Sequence, residues 1–286
     1  MDYIIKQFPK KKFETKMDQT RFIKKHFEEM KQIKMLEYKT NFYALIDNVI
    51  KKEFEPVIDD ISSDIIQVKT VINSTNIIDS HLDLHMSEIW NKTVSDNPYS
   101  YHLKKHEDEF ESVISNKAKS YNEKSNFNNI GLDIDFKTTI NINEFILKKS
   151  KIPFMFDAYV NGDVKQHSVG MIYVNIDVAY YDEDSTKQMD FFEKMKSKAV
   201  NPDIANEHGY FWVVYEAKKR EGSAVVFGSN SVTPTLWVKN YEPPKKGTQK
   251  LYTEPEEFTQ KKIEPPKKGT QKIDYKLIRE KFTLKI

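Results

Sequence analysis

Apolar positions in the first part of the chain recur at helical spacing. Ile23, Phe27 and Met30, then Phe42, Leu45 and Val49, mark one face of a helix that Asp18 or Thr20 would cap. Pro56 ends it, because the residue before a proline avoids α geometry. The strongest periodicity follows. Ile58, Ile61, Ile65, Val68 and Ile72 are spaced three, four, three and four, and the frame continues through Thr75 and Asp79 to Leu82, Met86 and Ile89. This a/d seam predicts a helix about 48 Å long, packed in a bundle or against another chain. After Asn97-Pro98, the stripe Leu103, His106, Phe110, Val113, Lys117 and Tyr121 predicts a third helix, and 120–129 reads as a loop.

From Leu132 the period becomes two. Leu132, Ile134 and Phe136 alternate with Asp133, Asp135 and Lys137, as in a half-buried strand. The run from Phe154 to Val160 leads into Asn161-Gly162, a hairpin signal. A long strand is expected from Gly170 to Tyr181. A short amphipathic helix follows within 182–199, with acids at its start and lysines at its end. Tyr210 to Ala217, Ala224 to Phe227 and Leu236 to Val238 read as further strands. Glycine agrees with this division: all eight lie from Gly131 onward, and glycine favours turns over helices.

The expected fold is therefore α+β. An N-terminal extension (1–17) precedes a helical region (18–129) built on a long helical hairpin. A mainly antiparallel β domain (130–240) with one inserted helix (185–199) follows, and an extended C-terminal arm (241–286) closes the chain. The arm repeats EPPKKGTQK at 242–250 and 264–272. Pro-Pro and Lys-Lys-Gly resist helix and central strand alike, and two copies are too few for a solenoid. Such a peptide is suited to lie on a partner's surface, with Tyr241, Pro243, Pro244, Leu251, Tyr252, Ile263, Pro265, Pro266 and Ile273 as partner-binding residues.

Composition narrows the function classes. No cysteine is present, which excludes disulfide scaffolds, thiol catalysis and cysteine zinc sites. Lys+Arg 45 against Asp+Glu 43 gives +2, no field for coating nucleic acid. Only Arg21, Arg220 and Arg279 are arginines, and Lys, Asn, Ile and Tyr are frequent, the mark of an A/T-rich gene of a low-GC bacterium or its phage. No apolar run is long enough to span a membrane. The start, MDYIIKQFPKKK, has no apolar segment of the export type, so Sec export is not expected.

Candidate chemistry is sparse. His81/His85 and His102/His106 are two His-x3-His pairs; on helices each would present two metal ligands on one face. Glu216-Ala217-Lys218 closes an apolar strand, and Asp177 lies on an earlier one. This resembles the PD-(D/E)xK nuclease core, in which two carboxylates hold Mg²⁺ and the lysine stabilises charge. P-loop, Gly-x-Gly-x-x-Gly and Gly-x-Ser-x-Gly signatures are missing.

The heptad at 58–89, the strand–helix–strand unit at 170–217 and the arm at 241–286 together resemble the neck, collar and tail-connector proteins of tailed bacteriophages. The resemblance implies a structural virion protein, assembled in the host cytoplasm. It would form a homo-oligomeric ring with other virion proteins as partners and passive contact with DNA in a lumen. It implies no catalysis, no metal and no cofactor. Ile58, Ile61, Ile65, Val68 and Ile72 would form the oligomer or helix seam. The alternatives are the Mg²⁺-dependent nuclease and a coiled-coil adaptor protein.

Overall fold

Where the heptad spacing predicts a helix, the chain forms strands and turns. The computed structural model describes residues 3–36 and 54–242. A hairpin of β1 (Tyr3–Ile5) and β2 (Phe8–Phe13) precedes helices α1 (Lys16–Lys25) and α2 (Phe27–Leu36). Next come β3 (Val57–Ile58), β4 (Ile65–Ser74), β5 (Asp83–His85), a short helix α3 (Asn91–Asp96), β6 (Tyr99–Lys104), β7 (Val113–Asn126) and β8 (Lys137–Lys148). Helix α4 (Pro153–Val160) leads to β9 (Gln166–Tyr180), α5 (Thr186–Lys196), α6 (Asp203–His208), β10 (Tyr210–Val225) and β11 (Thr235–Asn240).

The expected long helical hairpin is thus replaced by a short β hairpin with two helices, and the heptad seam is not a seam. The reason lies in residue type. Segment 65–72, IIQVKTVI, is rich in β-branched side chains, which are stiff in helices and pack well on a pleated surface. Its even positions Ile66, Val68, Thr70 and Ile72 also form a period-two set, and all are buried. Ile58 and Ile61 only flank the apolar cluster around Ile66 and Val68, and Ile65 is half-buried. The stripe at 103–121 is likewise split between β6 and β7. The run before Asn161-Gly162 is helix α4, opened by Pro153 and stopped by Gly162 at φ +76°. The first long helix begins earlier than expected, capped by Thr15, whose side chain accepts from the Asp18 N–H. The rest of that expected helix, 37–53, lies outside the described residues.

The sheet runs β3-β11-β4-β8-β7-β6-β10, with β9 beside β10. No boundary falls at 130, because β4 and β7 both pair with β8. Long β10 organises one end. Its first half pairs in parallel with β5, its second half in parallel with β6, and β9 runs antiparallel along its other edge. The sheet curls until its ends approach: His167 N–H bonds Thr233 O and Val71 N–H bonds Pro234 O. Ile66, Val68, Phe145, Leu147 and Ala224 fill the inside. Helices α1, α2 and α5 cover the first half of β10 and the second half of β9, antiparallel to it, with Ile23, Met30, Phe192 and Met195.

Candidate functional site

The outer face of β9 and β10 brings together side chains far apart in sequence. Residues two apart on a strand share a face, and so do direct cross-strand partners. Glu221 and Ser223 therefore face outward together. Ser168 stands opposite Ser223, and Gly170 opposite Glu221. A Cβ at Gly170 would overlap Glu221 Oε1 and lie 2.9 Å from its Cδ. Glycine is what lets the carboxylate lie across the strand that carries Ser168.

His106 arrives from β6, which flanks β10 on the other side. The chain leaves β6 through Lys105 (φ +57°) and His106 (φ +62°), two successive non-glycine residues in the left-handed region. That conformation costs roughly 1–2 kcal/mol per residue and persists only where neighbours over-determine it. Here they do: Lys105 N–H bonds Ala224 O at 2.9 Å, and His106 N–H bonds Ser223 Oγ at 3.1 Å. The ring is thereby held against the carboxylate, with His106 Nδ1 2.6 Å from Glu221 Oε1. Ser223 Oγ donates to the second oxygen, Oε2, at 2.6 Å. The side chains of His106 and Glu221 are only 12% and 6% exposed.

These bonds settle the roles. The carboxylate accepts from Nδ1–H, which leaves the Nε2 lone pair as the basic position. Ser223 is fully buried and its proton is committed to Glu221. Ser168 is 9% exposed, and its Oγ has no hydrogen bond to a described residue. Its Cβ lies about 5 Å from that of Ser223, the usual spacing of cross-strand partners. One face thus carries a serine and a histidine that a buried carboxylate orients, the residue types that activate a hydroxyl for attack on a carbonyl.

The expected sites fare differently. Of the partner-binding residues, only Tyr241 is described; its N–H bonds Ile65 O of the same chain. Pro243, Pro244, Leu251, Tyr252, Ile263, Pro265, Pro266 and Ile273 lie outside the described residues. Asp177 faces Val213, whereas Glu216 faces Asn175, so the two carboxylates are offset. Glu216 pairs with Lys92 at 3.3 Å, and Lys218 points to solvent. The His-x3-His pairs are not on helices. His102 is buried inside the curled sheet, while His106 sits on its outer face.

His85 does meet two acids: Asp79, Asp83 and His85 each bring a ligand atom within 4.8 Å of the others. Those donors already serve the fold. Lys34 Nζ lies 2.7 Å from Asp83 Oδ1, and Tyr173 donates to Oδ2 at 2.5 Å. Asp79 Oδ1 accepts the His81 and Asp83 N–H groups, and Asn73 bonds His85 Nδ1 at 2.9 Å. The buried ammonium supplies the charge a cation would bring.

Sequence reasoning picked out His106, as a metal ligand, and passed over Ser168 and Glu221. No spacing rule links residues 106, 168 and 221; only the pairing of β6, β9 and β10 does. The chain matches no protein-family model, curated protein or solved structure.

Proposed function

We propose that the protein is a serine hydrolase whose reacting centre is Ser168, His106 and Glu221, and that its substrate is an extended peptide. The observation that carries this reading is the 2.6 Å bond from His106 to Glu221 on the face that also bears Ser168. In the reaction, Ser168 Oγ attacks the scissile carbonyl carbon while its proton passes to His106 Nε2. Glu221 stabilises the resulting imidazolium. His106 then gives that proton to the leaving amine, and water repeats the sequence to free Ser168.

The peptide class follows from the surroundings. Next to Ser168 the other edge of β9 is taken by Thr233, which bonds both the N–H and the carbonyl of His167, so a peptide would lie across the face of β9 and β10 and not extend the sheet. On the same face Ile172 and Val174 are each 46% exposed, and Val226 and Phe227 stand out at the end of β10. These apolar groups would hold a peptide's side chains.

The virion-assembly expectation loses one support, since 58–89 is not a coiled helix, and the arm from residue 243 on lies outside the described residues. The nuclease alternative loses the juxtaposition of its acids. Neither has a specific observation behind it, and the hydrolase reading departs from the expectation of no catalysis. A fluorophosphonate probe tests it. Covalent labelling should map to Ser168 and vanish in Ser168→Ala and His106→Ala, with peptide hydrolysis lost in parallel. Labelling that persists in Ser168→Ala, or hydrolysis unaffected by it, overturns the reading.

A further inference from the structure

Behind Ser168 and His106, inside the curled sheet, runs a chain of buried polar groups that the proposed chemistry leaves unused. Asn143 Nδ2 lies 3.3 Å from His102 Nδ1. His102 Nε2 lies 3.1 Å from Tyr159 Oη, and Tyr159 Oη lies 3.2 Å from His167 Nε2. His167 Nδ1 ends the chain 3.0 Å from Thr233 O. All three rings and Asn143 are almost completely buried.

Donor rules fix the direction of every bond. A carbonyl oxygen only accepts, so His167 carries its proton on Nδ1 and its Nε2 must accept. Tyr159 therefore donates its single O–H to His167. Its oxygen then accepts from His102 Nε2–H, which leaves His102 Nδ1 to accept from the Asn143 amide. The chain closes only with both imidazoles neutral and in opposite tautomers. Burial, the main cause in each case, acts the same way: it holds His102 well below the ordinary histidine range and His167 at about 4. The groups facing the pair oppose a second charge too, with His106 and Lys219 both disfavouring protonation of His102.

The placement of this chain matters because of its neighbours. His167 immediately precedes Ser168. His102 lies on β6, the strand that leads to His106, and is paired with Gly222 between Glu221 and Ser223. One hydroxyl on α4 therefore ties the strand of the nucleophile to the strand of the base. We propose that Tyr159 is a positioning residue for the Ser168–His106 pair, setting their spacing from the opposite side of the sheet. This rests on the hydrolase reading above.

The test is Tyr159→Phe, which keeps the ring and its edge-on contact with Phe145 but removes the bridge. Misplacement of reacting groups by about 1 Å can cost on the order of 100-fold. We expect kcat to fall by about 10- to 100-fold, KM to stay within about twofold, and fluorophosphonate labelling of Ser168 to slow in proportion. Tyr121→Phe is the control, a half-buried tyrosine that loses a bond to Glu144 away from the site; its kcat should not change. If Ser168→Ala retains activity, the hydrolase reading itself fails. If Ser168→Ala is inactive while Tyr159→Phe keeps full kcat, only the positioning role fails. Should Tyr159→Phe not fold, nitrogen NMR of the wild-type chain decides. Nδ1–H on His167 and Nε2–H on His102, both neutral at pH 6, support the bridge; any other pair of states overturns it.

Discussion

Two buried carboxylates border the same strand and end in opposite roles. Asp83 on β5 pairs with the first half of β10, opposite Trp212, and Glu221 lies in its second half. Each has a histidine close by. Asp83 is matched on one oxygen by the buried ammonium of Lys34 and on the other by the Tyr173 hydroxyl. A permanently charged partner consumes the carboxylate, and what remains is a packing element of the α2–β5–β10 junction. Glu221 has a titratable partner instead. Its charge is directed into an imidazole whose second nitrogen remains free to take a proton. A burial penalty met by a lysine yields structure; one met by a histidine yields, on the proposed reading, a proton that can move.

The most severe way to break the comparison is at the reacting side. Ser168→Ala should reduce peptide hydrolysis by at least about 10⁴-fold, and Glu221→Gln by about 10³- to 10⁴-fold, with little loss of melting temperature. Next comes the structural side. Lys34→Ala leaves Asp83 charged and unpaired in the core and should cost about 3–5 kcal/mol in denaturant unfolding. Its remaining folded fraction should still label at Ser168. A failure of Lys34→Ala to destabilise, or a loss of labelling in protein that is still folded, would erase the distinction.

Gly170→Ala sharpens the contrast, because its methyl group would meet Glu221 and nothing near Asp83. A loss of activity of roughly 10- to 100-fold is expected as the carboxylate is pushed off His106. The mildest effects are in pH. His167 titrates at about 4 in the fold, depressed by burial, against an ordinary value near 6.5. The unfolded chain therefore binds a proton that the fold refuses between these values. This stability is complete above about pH 6.5 and is lost as pH falls through 4. Lys219, lowered by burial to about 7, works in a higher window: the fold carries a buried ammonium below pH 7, a penalty that disappears above about 10.5. Lys219→Met should raise the melting temperature at pH 6 and do so less at pH 10.

Legibility in the sequence followed local determinants. Helix α5 was visible because acids precede it and lysines end it; its cap, Ser185, is seen only in the structure. Strand β9 and the first half of β10 were visible from their long apolar runs, but the polar stretch 218–223 split β10 into two expected strands where the structure has one. The 58–89 segment misled because its isoleucines and valines satisfy a three–four spacing and an alternation together, and the period alone does not choose. The hairpin expected at Asn161-Gly162 failed for a related reason: Pro153 can open a helix as readily as it can break a strand. The site was unreadable because it depends on register. Ser168 faces Ser223 only because β9 and β10 align over their length, and His106 reaches Glu221 only through two left-handed residues that no pattern of polarity announces.

The position of β10 has a consequence for the chain during synthesis. It is the strand on which β5, β6 and β9 converge, yet all three are made before it. Until residues 210–225 emerge, His106 has no carboxylate, β6 lacks its parallel neighbour, and the inner and outer faces do not yet exist as such. These pairings span long stretches of sequence and are slow to close. On the proposed hydrolase reading, a nascent chain would carry Ser168 as an inert hydroxyl until β10 is made.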